Sequence, residues 1–209
     1  MPYRLVIFDF DGVLADSAGW MLGELNPLAR RFGFREVSDA EVEMLRGKDN
    51  REIVRYLRVP AWKLPLIAAH MRRRVAEAAH DIALFDGAPR LLRGLAGSGL
   101  RLSIVSSNAE ANIRRILGDE LAGLIAHYDC GAGLFGKAAK FRRLVRRTGV
   151  PPAEVLCVGD EVRDIEAAAE AGLDSAAAAW GYATPELLAA RKPAHLFATP
   201  DEMLAALTG

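Results

Sequence analysis

Cysteine is scarce in this 209-residue chain, and an excess of charge of either sign is absent. The two cysteines, Cys130 and Cys157, match neither a disulfide framework nor a CxxC metal site, and Cys157 sits inside the apolar run "EVLCVGD". They read as reduced thiols of a cytoplasmic protein. Lys plus Arg and Asp plus Glu both number 27, so no net field recruits nucleic acid or an acidic membrane, and any anion specificity must be local. The chain has no apolar run of the roughly 18 residues that a membrane span needs. Its opening, "MPYRLVIFDFDG", lacks the basic stretch and uninterrupted apolar segment of an export signal. The four histidines, His70, His80, His127 and His195, show no metal-ligand spacing. There is no internal repeat and no low-complexity linker. A hydrophobic content of 51% suffices for a real core. The expected partners are a small-molecule substrate and neither nucleic acid nor membrane, for a monomer or homodimer.

What is present is an alternation of short apolar runs with longer segments of helical period, the pattern of a parallel sheet covered on both faces. Four runs read as strands: Arg4 to Phe8, Leu102 to Val105, Val155 to Val158, and the alanine-rich Ser175 to Trp180. Helices are expected over 88–96, 109–117, 138–147, 163–170, 185–190 and 201–207, with Gly149 and Gly172 as C-terminal stops. From Asp16 to about Phe85 the alternation breaks, and the chain reads helix after helix. Within that stretch "SDAE", Ser38 to Glu41, is a capping-box pattern, and Pro60 can open the long segment ending near Ala79. "FDGAP", Phe85 to Pro89, is a return point. The expected architecture is an α/β, Rossmann-like parallel-sheet core of residues 1–15 and 86–209, with an inserted α-helical cap of residues 16–85 joined by two crossings.

In a parallel sheet, ligands bind beyond the carboxyl ends of the strands, so the residues that end each run are the ones to collect. The first run ends in Asp9 and Asp11, with Gly12 to permit a turn; the second in Ser106, Ser107 and Asn108; the third in "GDEVRD", with Asp160, Glu161 and Asp164. Lys137 adds a cation at a helix start. Carboxylates from two strand ends make a hard oxygen site suited to Mg2+, and a hydroxyl, an amide and an ammonium beside it suit the oxygens of a phosphate. A lone DxD usually marks a solvated turn. A buried strand before it and three further motifs in order argue against that reading.

These motifs resemble those of the haloacid dehalogenase (HAD) superfamily, in its helical-cap branch of phosphoglycolate phosphatases and β-phosphoglucomutase-like enzymes. "DFDGV" resembles motif one, "SIVSSN" motif two, "GKAAK" the lysine of motif three and "VGDEVRD" the GDxxxD form of motif four. Coverage is nearly the whole chain. The usual Lys-Pro of motif three is absent; Lys137 and Lys140 both compete for the role, and Lys137, at the helix start, is preferred.

The resemblance implies an Mg2+-dependent phosphatase of a small phosphorylated metabolite, phosphoglycolate-like or sugar-phosphate-like. Asp9 would be the nucleophile that becomes an aspartyl-phosphate, and Asp11 the acid and base. Asp9, Asp160 and the backbone carbonyl of Asp11 would hold the metal, with Glu161 and Asp164 in support. Ser106 and Lys137 would hold the phosphoryl group, with Ser107 and Asn108 beside them. A β-phosphoglucomutase-like phosphomutase is the nearest alternative, and an inactive binding or regulatory module the non-enzyme one. Dehalogenase chemistry has no need of Asp11. A phosphonatase would need a Schiff-base lysine, for which only Lys48 or Lys63 offers itself.

In the cap stretch, "RGKDNRE", Arg46 to Glu52, is expected to face the substrate, with Gly47 and Lys48 as binding residues. "HMRRRVAEAAH", His70 to His80, reads as a solvated helix face, because three successive arginines point around a helix. Trp20, Trp62 and Trp180 are expected to pack, and Trp20 could line the cleft.

Overall fold

The computed structural model describes residues 3–131 and 136–209. Met1 and Pro2, assigned to the core from sequence, lie outside the described residues. The chain opens with strand β1 (Leu5–Phe8) and then runs through four helices: α1 (Ala18–Phe32), α2 (Asp39–Arg46), α3 (Asn50–Tyr56) and α4 (Leu64–Glu77). Alternation begins at α5 (Ala88–Gly97) and continues through β2 (Arg101–Val105), α6 (Glu110–Gly123), β3 (Ile125–Asp129), α7 (Lys137–Thr148) and β4 (Val155–Gly159). It ends with α8 (Val162–Ala171), β5 (Asp174–Ala178), α9 (Pro185–Ala189), β6 (His195–Phe197) and α10 (Pro200–Thr208).

The six strands form one parallel sheet in the order β3-β2-β1-β4-β5-β6. Every side chain of β1 is buried, and the period-two alternation divides them between two cores. Val6 and Phe8 join Leu102, Ile104, Leu156 and Val158 under α5, α6 and α10. Leu5 and Ile7 face the other way, with Val155 and Cys157, against Phe141 and Leu144 of α7 and Ala168 of α8. Both faces are therefore covered, as a parallel sheet requires. Gly149 and Gly172 end α7 and α8 in the left-handed conformation expected of them.

The order of the strands reverses direction at β1, so the crevice between the ends of β1 and β4 is the topological switch point where such sheets bind ligands. Phe8 is in register with both Ile104 and Val158, which brings the ends of β2 and β4 level with Asp9.

The helical stretch α1 to α4 leaves and rejoins the rest of the chain at one place, where its two ends run side by side. Asp16 N donates to Ala83 O at 2.9 Å, and Phe85 N to Leu14 O at 3.0 Å. Its own core is small: Val37, Leu45 and Leu57, backed by residues such as Phe34 and Ile53. The capping box read at Ser38 and Glu41 is formed, and a second stands at Asp49 and Glu52. Pro60 precedes a single 3-10 turn over Ala61–Lys63, and Pro65 then sits in the first turn of α4. Trp62 corrects the sequence expectation: on that turn it is 68% exposed and packs into no core. Among the described residues no helix is long and apolar enough to cross a membrane.

Candidate active site

Asp9 leaves β1 while still in the ladder, its N–H donating to Val158 O at 2.8 Å. The chain then turns tightly. Leu14 and Ala15 both donate to Phe10 O, and Gly12 adopts a φ of +79° that a side chain would strain. Space compels the glycine as well, since a Cβ there would stand 2.0 Å from Asp160 Oδ2. Two further glycines let Asp160 and Asp164 approach. A Cβ on Gly181 would lie 2.3 Å from Asp160 Cβ, and one on Gly159 would lie 2.2 Å from Asp164 Cβ.

Asp9, Asp160 and Asp164 each offer an oxygen, all within 4.8 Å of one another, and all three are buried. Lys137 Nζ, itself 6% exposed, donates to Asp9 Oδ2 and to Asp164 Oδ1. The second oxygen of Asp164 accepts from Glu161 N, and Asp160 Oδ2 accepts from Tyr182 N at 2.9 Å. Burial, reinforced by the charges of Glu161, Asp164 and Asp9, pushes the Asp160 carboxyl well above the usual carboxylate range. Asp9 is raised too, by burial that the ammonium of Lys137 only partly offsets. Burial works against the charge of Lys137, but Asp164 and Asp9 outweigh it and hold the amine ionised. Two cations, Lys137 and Arg163, among four acids, Asp9, Asp160, Glu161 and Asp164, leave the cluster short of positive charge. An all-oxygen donor set of that kind fits a hard divalent cation.

Asp11 has a different setting. Its Oδ1 accepts from Ser17 Oγ at 3.0 Å and its Oδ2 from Asn108 Nδ2 at 3.1 Å. Burial, then the charge of Asp9, raises its pKa to about 6, while the two hydrogen bonds pull the other way. Asn108 is held in turn by Asn112 Nδ2, which donates to its Oδ1 at 3.1 Å and to Arg72 O at 2.9 Å. Ser106 Oγ accepts from Asn108 N at 3.1 Å, and its own proton has no acceptor among the described residues.

Two cavities flank Asp11. One of about 260 Å³ lies against α1, α2 and α3, with Met21, Leu25, Leu45 and Ile53 on one side and Ser107, Asp160 and Arg163 on the other. A smaller one of about 180 Å³ is lined by Ile67, Met71 and Arg72 of α4 together with Ser107 and Asn108. A third, of about 280 Å³, opens where the start of α3 meets the starts of α7 and α8, and Lys137 and Arg163 reach it.

Residues 6–178 match the family model described as haloacid dehalogenase-like hydrolase. The chain belongs to that family. It is 34% identical over 206 residues to a phosphoglycolate phosphatase of Synechococcus elongatus, covering 98% of this chain and 97% of that one. It is 32% identical to a phosphoglycolate phosphatase of Xylella fastidiosa, over 88% and 83% of the two chains. A solved haloacid dehalogenase-like hydrolase from Streptococcus pneumoniae superposes with a TM-score of 0.80 at 20% identity, over 98% of each chain.

Within this haloacid dehalogenase-like fold the residues singled out from sequence separate into two groups. Asp9, Asp11, Ser106, Ser107, Asn108, Lys137, Asp160, Glu161 and Asp164 converge around the ends of β1, β2 and β4. Lys137 rather than Lys140 reaches Asp9; Lys140 pairs with Asp129. Gly47 and Lys48 come to the wall of none of the three cavities. Gly47 closes α2 as an exposed turn, and α3 then presents Asn50 instead. Arg46, of the same stretch, spends its Nε on Tyr182 O at 2.9 Å. Trp20 packs on the main core, and its neighbour Met21 lines the cleft. Arg72 departs from the solvated face expected of the arginine run by lining the smaller cavity, whereas Arg74 pairs with Glu24. Sequence reasoning did not single out Ser17, Asn112, Gly159, Gly181, Asn50 or Arg163. Asn50 falls inside the stretch Arg46 to Glu52 expected to face the substrate, Gly159 and Arg163 fall inside "VGDEVRD", and Ser17 is the first hydroxyl after the turn.

Proposed function

We propose that this protein is a divalent-metal-dependent phosphatase of a small phosphomonoester, with residues 1–15 and 86–209 as its core and residues 16–85 as a cap. The observation that carries the reading is the convergence at the switch point: Asp9 held by Lys137 at the end of β1, facing Asp160 at the end of β4.

One oxygen of Asp9 attacks phosphorus, and the bond from phosphorus to the substrate's alcohol oxygen breaks. Asp11 gives its proton to that departing oxygen. The product on the protein is an aspartyl-phosphate. Asp11, now a carboxylate, takes a proton from a water that attacks phosphorus, and the bond to Asp9 breaks to release inorganic phosphate. The Ser106 hydroxyl and the Lys137 ammonium hold phosphoryl oxygens through both steps, and Ser107 and Asn108 border them. Asp9, Asp160 and the carbonyl of Asp11 would hold the metal, with Asp164 positioned by Lys137 and Glu161. Mg2+ suits these ligands, and its charge would offset repulsion between carboxylate and phosphate. The apolar walls given by Met21, Leu25 and Ile53 would exclude water once the cap is seated.

The relatives named as phosphoglycolate phosphatases support a small phosphorylated acid as substrate. Two free thiols support a place in the cytoplasm. The test is phosphate release from a panel of phosphorylated metabolites, with Mg2+ or with chelator, by the native protein and by Asp9→Asn. Metal-dependent release lost in the variant is the expected result. Isomerised sugar phosphate without free phosphate would replace the reading with that of a mutase, and no turnover of any kind would overturn it.

A further inference from the structure

Arg163 is the one basic residue among those lining the cavity of about 260 Å³ beside Asp11. It stands in the first turn of α8, one residue before Asp164, with its side chain 21% exposed. Its Nε donates to Glu161 Oε2. Its Nη1 is buried and has no hydrogen-bond partner among the described residues. A buried guanidinium nitrogen left without an acceptor costs free energy, so such an atom calls for an oxygen supplied from outside the chain.

The rest of the site narrows what that oxygen belongs to. The phosphoryl group already has Ser106 and Lys137, neither of which lines that cavity. Arg163 borders two cavities: the one that Lys137 also reaches, and this one, where it faces Met21, Leu25, Leu45 and Ile53 of the cap. Asp11, the acid assigned to the departing oxygen, lines the same cavity, so a group bound there would belong to the leaving alcohol. Glu161 holds the guanidinium from one side with Oε2, and its Oε1 accepts from Asn50 Nδ2 of the cap at 3.0 Å. The orientation of Arg163 is thus tied to α3 through Glu161 and Asn50.

We propose that Arg163 is a specificity-determining residue whose Nη1 donates to a carboxylate carried by the leaving alcohol, with Glu161 and Asn50 as its positioning residues. The proposal rests on the phosphatase reading and goes further by naming the residue that recognises the acid group of the substrate. Arginine suits the task because its planar fork can serve Glu161 and a second carboxylate at once.

The test compares two esters that differ only at the group in question: 2-phosphoglycolate, and 2-hydroxyethyl phosphate, in which a hydroxymethyl replaces the carboxylate. Arg163→Met should lower kcat/KM for phosphoglycolate by about 10- to 100-fold, mostly through KM, as expected for loss of a charged hydrogen bond. The neutral ester should change by less than about threefold, which also shows that the variant is folded. Arg163→Lys should restore part of the loss. Asn50→Ala should give a smaller loss with the same selectivity, and Arg73→Met, at an exposed position of α4, none, while Arg72→Met reads the neighbouring cavity.

Equal losses on both esters would place Arg163 on the phosphoryl group and overturn the proposal. No loss on either, or selectivity that follows Arg72, would overturn it as well. Calorimetric binding of both esters to the Asp9→Asn protein, with and without Arg163→Met, reads the same preference without turnover. If the native protein hydrolyses nothing, the phosphatase reading fails, while the ratio of the two affinities still decides the role of Arg163.

Discussion

Gly181 and Asp160 approach so closely that a Cβ on the glycine would stand 2.3 Å from the aspartate's Cβ and 2.6 Å from Gly12 O. Neither neighbour is the loose end of a flexible chain, so Gly181→Ala must move the backbone after β5 or displace Asp160. The expected cost is about 1–3 kcal/mol of stability, as for other overpacked sites. The variant should also need a higher metal concentration for half-maximal activity. Thermal unfolding and a metal titration of phosphate release check both outcomes, and an unchanged metal requirement would show that Asp160 tolerates the shift.

Lys137→Met removes the one ammonium that, among the described residues, contacts Asp9 and Asp164, and leaves two buried carboxylates without it. Breaking a buried pair from one side costs about 3–5 kcal/mol. Turnover should fall by at least about a hundredfold, as on removal of a preorganised electrostatic contact. Added divalent metal should raise the melting temperature of the variant more than that of the native protein, because it supplies charge to the same acids. Scanning calorimetry with and without metal reads the difference.

Asn108→Ala takes away one of the two side chains that hold the Asp11 carboxyl, leaving Ser17 as the other. The acid is then free to leave the line of the departing oxygen. A fall in kcat of about tenfold or more, with a smaller change in KM, is expected from the usual worth of a positioned acid. Steady-state kinetics with a good and a poor leaving group checks the assignment, since a substrate whose alcohol needs no proton should lose less.

Asp129 pairs with Lys140 and Arg143 at the end of β3. Burial opposes ionisation there, but hydrogen bonds from Arg143 and Lys140 prevail, and the folded carboxyl lies below its ordinary value. A depressed folded pKa contributes stability that is present above the unfolded value, near 4, and is lost as pH falls through the folded one. Asp129→Asn should therefore lower the melting temperature at pH 7, and the gap from the native protein should narrow as pH falls below about 4. A gap of constant size across that window would show that the ion pairs contribute nothing.

Three of the four motifs were legible in the sequence because each follows an apolar run, and runs buried on both faces in the centre of a parallel sheet leave an unmistakable pattern; Lys137 was read from its place at a helix start. β1, β2 and β4 are such strands, and the alanine-rich run read near Ser175 became β5. The edge strands were not legible. β3 reads "IAHYD" and β6 only "HLF", and a strand with one neighbour carries polar residues without penalty. The site divides along the same line. Asp9, Asp160 and Lys137 are placed by the ends of local elements. Gly181, Asn112 and Arg163 matter through what the fold brings against them, which no local pattern records. Trp62 makes the converse point, since its size suggested a core position that a single exposed turn does not provide.

The side-by-side crossing at Leu14 to Asp16 and Ala83 to Phe85 also bears on how the chain reaches this structure. β1 pairs with β2 across the whole of the helical stretch, Leu5 against Arg101. Closing so long a loop directly would carry a large entropic cost and slow the search for that pairing. Once the crossing has zipped, the remaining loop runs only through α5, and the helical stretch hangs outside the closure as a side branch. Insertions or exchanges within it should thus leave the order of sheet assembly untouched, so long as the two crossing segments remain.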